Sequence, residues 1–254
     1  VAARPEPRKL LPTPVMPSRE EIERHEIDHC PFQSWCEDCV AGRSRGAPHK
    51  LKDKKEDFEF DYTFYSEEGF VISKTAKERA QTVLTVVHKR SGAVVGTSVV
   101  RKGAWPFAIE LIGNFVFWTL VKHCVIRGDA EPSLRPLMEG VAAKIRAAGV
   151  DVALPQWAAQ GSHQSIGSCE RLHDIMAGFA RTISSVIFRK TGLRVEPKMR
   201  LFTWLIRHCG TLVTCCHVRS NGQTSHFMLR GEEAEFRLVP FGEVVTFKIE
   251  SALP

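Results

Sequence analysis

The chain has 254 residues, 43% hydrophobic and 25% charged, which is enough apolar material for a sizeable core and suggests one principal domain with appendages. No apolar run approaches the ~18 residues a membrane span needs, and the opening stretch lacks the apolar heart of a signal peptide, so neither membrane insertion nor secretion is indicated. A net charge of +6 favours an anionic partner, and eight cysteines without a secretory signal read as metal ligands or buried thiols rather than disulfides.

Residues 1–17 hold five prolines and no periodicity, as expected of a linker, and the Val at position 1 suits a segment cut from a longer polypeptide. Ser18 with Glu21 forms a capping-box pattern that should start a short helix, on which His25 and His29, four apart, share a face. Cys36 and Cys39 follow with C-x-x-C spacing. Two imidazoles from a helix face and two thiolates from a tight turn can close a tetrahedral Zn²⁺ site, structural because no position is left open. Residues 18–42 are therefore read as a small zinc-binding unit, and 43–56 as a basic linker in which Lys50, Lys52, Lys54 and Lys55 are candidate DNA contacts.

From residue 57 the pattern turns to period two: Phe58, Phe60, Tyr62 and Phe64 fall on one face, Glu59, Asp61 and Thr63 on the other. Strands over 82–88 and 93–100, joined by the turn Lys89-Arg90-Ser91-Gly92, should complete an antiparallel meander. A buried helix over 105–120, a short strand ending at Asp129, a helix over 133–148 and a strand over 150–154 come next. A Gly-, Ser- and Gln-rich loop then leads into the longest patterned helix, whose apolar stripe runs from Leu172 to Ile187, with Glu170 off the stripe beside His173, Asp174 and Arg181. A second apolar helix over 199–218 and two strand-like runs at 235–239 and 243–249 end the chain. This succession predicts an α/β sandwich built on a mixed five-stranded sheet flanked by helices.

Taken singly, Asp61, Asp129 and Glu170 each have an ordinary reading: a solvent-facing strand residue, a turn residue and a first-turn glutamate that complements the helix dipole. In the sheet just described they can converge. Such an oxygen-only site would suit Mg²⁺ (or Mn²⁺) in a two-metal phosphoryl transfer, with metals about 3.5–4 Å apart.

The order of an HHCC knuckle, an Asp in an aromatic strand, an Asp after an apolar strand and Ser165-x-Gly167-x2-Glu170 resembles retroviral and retrotransposon integrases. The strings HEIDHCPFQSWCEDC and SHQSIGSCER resemble the integrase segment of Ty1/copia-type polyproteins. The resemblance implies an RNase H-like catalytic domain over 57–220 with Asp61, Asp129 and Glu170 as catalytic metal ligands, and a truncated C-terminal extension over 221–254. It implies trimming of element DNA 3′ ends and strand transfer into target DNA. Double-stranded DNA would be the partner of a homo-oligomer in the nucleus or a cytoplasmic retroelement particle, with Ser165, Gly167, Arg171, His173 and Arg181 near the DNA. Asp174 and Ala177 stand where retroviral enzymes carry lysines. Two other readings stay open: a catalytically decayed nucleic-acid-binding or assembly module of a retroelement polyprotein, and an RNase H-like nuclease or transposase of another kind.

Overall fold

A computed structural model describes residues 17–42, 57–66, 69–70, 80–152, 155–157, 167–235 and 239–246. Two short helices come first, α1 (Arg19–Asp28) and α2 (Glu37–Gly42). α1 begins where expected because Ser18 and Glu21 cap each other reciprocally: the Glu21 N–H donates to Ser18 Oγ at 3.2 Å and the Ser18 N–H to Glu21 Oε2 at 2.7 Å.

The sheet is built from β1 (Asp57–Ser66) with its short partner β2 (Gly69–Phe70), then β3 (Gln81–His88) and β4 (Val94–Ser98). β1, β3 and β4 pair antiparallel as the meander expected, and Gly92 supplies the left-handed backbone (φ 73°) that the β3–β4 turn needs. After α3 (Pro106–Trp118), β5 (His123–Gly128) pairs parallel with β1, placing Phe60 opposite Gly128. α4 (Leu134–Ala147) then returns the chain to β6 (Asp151–Val152) and β7 (Gln156–Trp157), both parallel to β5 in successive registers. The order β4-β3-β1-β5-β6, with β7 continuing the last position, is a mixed five-stranded, RNase H-like sheet. Where one run was expected over 150–154, strand is seen at 151–152, and residues 153 and 154 lie outside the described residues; Pro155, which cannot donate to a ladder, stands just before β7.

Two helical layers cover the sheet. The aromatic face of β1 packs with α3 and α4: Phe58, Phe60, Tyr62, Leu84, Ile126, Leu137 and Ile145 form one core. The opposite face carries α5 (Gly167–Thr191) and α6 (Arg200–Cys215), where Val83, Val87, Met176, Phe179, Leu205 and Leu212 form the other. β3 feeds both layers, so it is buried on both faces and reads as nearly continuous apolar sequence. Gly210 lets α6 lie directly on the edge strand; a Cβ there would stand 3.3 Å from the Val94 carbonyl oxygen. A short α7 (Ser225–Arg230), capped by Thr224, was not expected from the sequence. The strand-like runs of the tail are not strands at residues 235, 239 and 243–246, where Val244 is 96% exposed, while the rest of those runs lies outside the described residues. No helix among the described residues is long and apolar enough to cross a membrane.

Candidate metal centres

The knuckle assembles as the spacing requires. On α1 the i, i+4 relation stacks His25 and His29 on one face, and His29, in the left-handed C-cap conformation (φ 55°), turns the chain back towards α2. His25 Nε2 lies 3.3 Å from Cys39 Sγ, and His29 Nδ1 lies 3.6 Å from Cys36 Sγ and 3.7 Å from Cys39 Sγ. All four ligand atoms fall within 4.8 Å of one another. With metal bonds of about 2.3 Å to sulfur and about 2.0–2.1 Å to nitrogen, the N–S edge of a tetrahedron is about 3.6 Å. The donor set therefore fits Zn²⁺, with His25, His29, Cys36 and Cys39 as a closed structural site.

The knuckle is also docked. Gly42 lies so close to α5 that a Cβ would stand 2.1 Å from Thr182 Oγ1 and 2.8 Å from the Gly178 carbonyl oxygen. Thr182 Oγ1 donates to the Asp38 carbonyl (3.1 Å), Ser185 Oγ to the Asp38 carboxylate (2.6 Å) and Arg181 to the Gly42 carbonyl (2.8 Å). Arg189 pairs with Asp38 at 3.0 Å and Lys190 with Glu26 at 3.4 Å. Arg181, expected at DNA, is thus engaged by the knuckle. Lys50, Lys52, Lys54, Lys55 and Ser165 lie outside the described residues, while Gly167 and Arg171 are exposed at the start of α5.

Asp61, Asp129 and Glu170 reach the same end of the sheet by three routes: the middle of β1, the residue after β5 and the first turn of α5. Burial pushes the Asp61 carboxyl up to about 7, and the negative charges of Asp129, Glu131 and Glu170 push in the same direction against a hydrogen bond from the Tyr62 N–H. The three carboxylates share a neighbourhood, but they are not gathered at ligand distance; among the described residues only the knuckle forms such a group. Asp61 Oδ1 accepts from the Tyr62 N–H at 2.8 Å, and Asp129 Oδ1 accepts from the Ala130 N–H at 2.8 Å. Asp61 Oδ2 faces His173 Nδ1 at 3.7 Å. Burial lowers His173 to about 4, so at neutral pH this contact is not an ion pair. An imidazole against Asp61 also differs from the oxygen-only Mg²⁺ site expected.

Two further acidic residues of this region were not singled out by sequence. Glu131 pairs with Lys102 at 2.5 Å and accepts from Ser133; its signal was its place two residues after Asp129. Glu59, fully buried on the Asp61 side of β1, pairs with Lys89 at 2.5 Å. These partners are far apart in sequence, so no local pattern marks them. Cys169, next to Glu170, is fully buried, donates to the Glu59 carbonyl at 3.2 Å and has its thiol held well above the ordinary range by burial, which leaves it no role as a nucleophile.

No family model and no curated protein matches the sequence. Among solved structures, the chain is similar to the catalytic core domain of BIV integrase, at 13% identity and a TM-score of 0.45 over 68% of this chain and 93% of that one. It is similar to a chain of the simian T-cell lymphotropic virus intasome in complex with PP2A regulatory subunit B56 gamma, at 15% identity and a TM-score of 0.46 over 81% of this chain and 64% of that one. A third is the HTLV-2 integrase catalytic core domain in complex with magnesium, at 15% identity and a TM-score of 0.42 over 69% of this chain and 96% of that one.

Proposed function

We propose that this chain is an integrase-type module of a retroelement polyprotein that binds double-stranded DNA and assembles on it as a homo-oligomer, in the nucleus or a cytoplasmic retroelement particle. It acts as a binding and assembly unit rather than a strand-transfer catalyst. The observation that carries the non-catalytic reading is the state of the carboxylates: Asp61 and Asp129 are engaged by neighbouring backbone amides, and the trio is not gathered to hold a metal. Support for DNA as the ligand comes from the +6 charge and from the lysines of 43–56, which follow directly on the knuckle.

Two-metal DNA end processing and strand transfer is the second reading. It is favoured by Asp61, whose carboxyl is pushed up first by burial and further by the charges of Asp129, Glu131 and Glu170, a cost to its charged form that a divalent cation would offset. The assay that separates them uses labelled double-stranded oligonucleotides, Mg²⁺ or Mn²⁺, and the wild type beside Glu170→Gln. The expected result is DNA binding without metal-dependent nicking or joining in either protein. Products made by the wild type and lost in Glu170→Gln would establish the catalytic reading instead.

DNA contact by the linker has its own test. Neutralising Lys50, Lys52, Lys54 and Lys55 together should reduce the slope of log affinity against log salt by about 3–4, since each phosphate contact contributes about 0.9 through counterion release. An unchanged slope would show that these lysines are solvated.

A further inference from the structure

The β4 edge of the sheet carries a surface that neither the knuckle nor the carboxylates use. Where α6 begins beside β3 and β4, a cavity of about 380 Å³ opens among Thr97, Ser98, Lys198, Arg200, Thr203 and Arg207. The Ser98 and Thr203 hydroxyls bond to one another in its wall, which ties α6 to the strand. Three of its lining side chains are cations, and among the described residues no carboxylate lines it. Arg207 is partly buried and, among the described residues, its guanidinium makes only long contacts to Thr97 Oγ1, at 3.4 and 3.5 Å. Burial lowers that guanidinium from its ordinary value, a cost to the charged form that an anion in the cavity would offset. Beside the cavity the same guanidinium lies 4.8 Å from the Phe107 ring centre and 5.3 Å from that of Trp204, and Phe107 in turn meets Trp105 at 5.0 Å. Trp204 nevertheless stays 61% exposed.

We propose that this surface is a binding site for single-stranded nucleic acid, whose phosphates meet Lys198, Arg200 and Arg207 while an unpaired base stacks on Trp204. Cations set beside aromatic rings are what a strand of alternating phosphates and planar bases requires. A duplex keeps its bases paired and stacked inside, so it would offer Trp204 no free base face. The site therefore goes beyond duplex binding by the linker lysines and does not rest on it. A second copy of the chain docked face to face here would set Lys198, Arg200 and Arg207 against their own images, which charge disfavours. An acidic protein segment would satisfy the cations but leave the indole without a planar partner.

The test uses the full zinc-loaded chain with three labelled probes of equal length: oligo(dT), an abasic single strand and a duplex. Trp204→Ala should weaken oligo(dT) binding about tenfold, the effect of losing one stacked base, and leave the abasic strand and the duplex unchanged. Trp204→Phe, which keeps a ring, should recover most of that loss. Lys198→Gln combined with Arg200→Gln should lower the slope of log affinity against log salt by about 1.4 for both single strands, since each phosphate contact to a single strand contributes about 0.7. Because Trp204 is exposed, its replacement should leave the thermal unfolding midpoint in place. No oligo(dT) binding by the wild type, an affinity that Trp204→Ala does not change, or equal losses for oligo(dT) and the abasic strand would each overturn the proposal. A poly-glutamate peptide that displaces oligo(dT) and itself depends on Trp204 would assign the surface to an acidic protein segment instead. Duplex binding lost on neutralising the linker lysines, with the Trp204 effect on oligo(dT) intact, would separate the two sites.

Discussion

Replacing Cys39 with serine is expected to empty the knuckle of zinc and unfold residues 18–42, taking zinc content from about one per chain to none. Cys39 is fully buried and touches both imidazoles, with His25 Nε2 at 3.3 Å and His29 Nδ1 at 3.7 Å. A serine hydroxyl is a shorter, harder ligand that stays protonated at neutral pH. α1 has ten residues and α2 six, too few for either to persist alone in water. α1 buries only His25, so the metal takes the place of an apolar core for this unit. Structural zinc typically contributes about 10–16 kcal/mol of apparent binding free energy, far more than the ion pairs that dock the knuckle. Hydrogen exchange should then speed up through α1, α2 and the stretch of α5 around Thr182, Ser185 and Arg189 that Asp38 holds. α3 and α4, which pack on the other face of the sheet, should keep their protection. Zinc retained at one per chain, or α1 amides protected as before, would contradict this account.

What could be read from sequence was whatever a local period or spacing encodes. β1 was legible because its two faces enter different environments: Phe58, Phe60 and Tyr62 meet α3 and α4, while Asp57, Glu59 and Asp61 face the α5 side. The knuckle was legible because an i, i+4 histidine pair and a C-x-x-C turn each carry their geometry within a few residues. The meeting of Asp61 with Asp129 followed from topology, since β1 and β5 are neighbours in a parallel pairing. His173 was not legible. Its spacing from Glu170 placed it on a polar helix face, and only the packing of α5 across β1 turns that face inward against Asp61. The Glu59–Lys89 and Glu131–Lys102 pairs join residues 30 and 29 apart, so no window along the chain contains them. That β7 pairs with β5 is likewise a matter of partners, although Pro155 was a usable signal for the non-strand position just before it.

Asp61→Asn is expected to stabilise the protein at pH 8 and to leave its stability at pH 4 almost unchanged, with zinc retained and no other divalent cation added. In the folded chain burial holds the Asp61 carboxyl up to about 7, against an ordinary value of 3.8, with Asp129, Glu131 and Glu170 adding to the shift. The folded state thus keeps a proton that the unfolded chain has released. Between about pH 4 and 7 the folded state binds more protons, so stability falls as pH rises through that window. Below the window both states are protonated and the contribution disappears; above it the penalty is complete. A shift of this size corresponds to at most about 4 kcal/mol, and because the side chain retains 19% exposure the effect expected is about 2–4 kcal/mol. Asparagine keeps the shape and can still accept from the Tyr62 N–H, but carries no charge to desolvate. Other titrating groups are common to both proteins, so the difference between their urea-unfolding free energies isolates Asp61. Parallel pH profiles for the two proteins would mean that the Asp61 carboxyl ionises in the folded chain as it does in water, and that its burial costs its charge nothing.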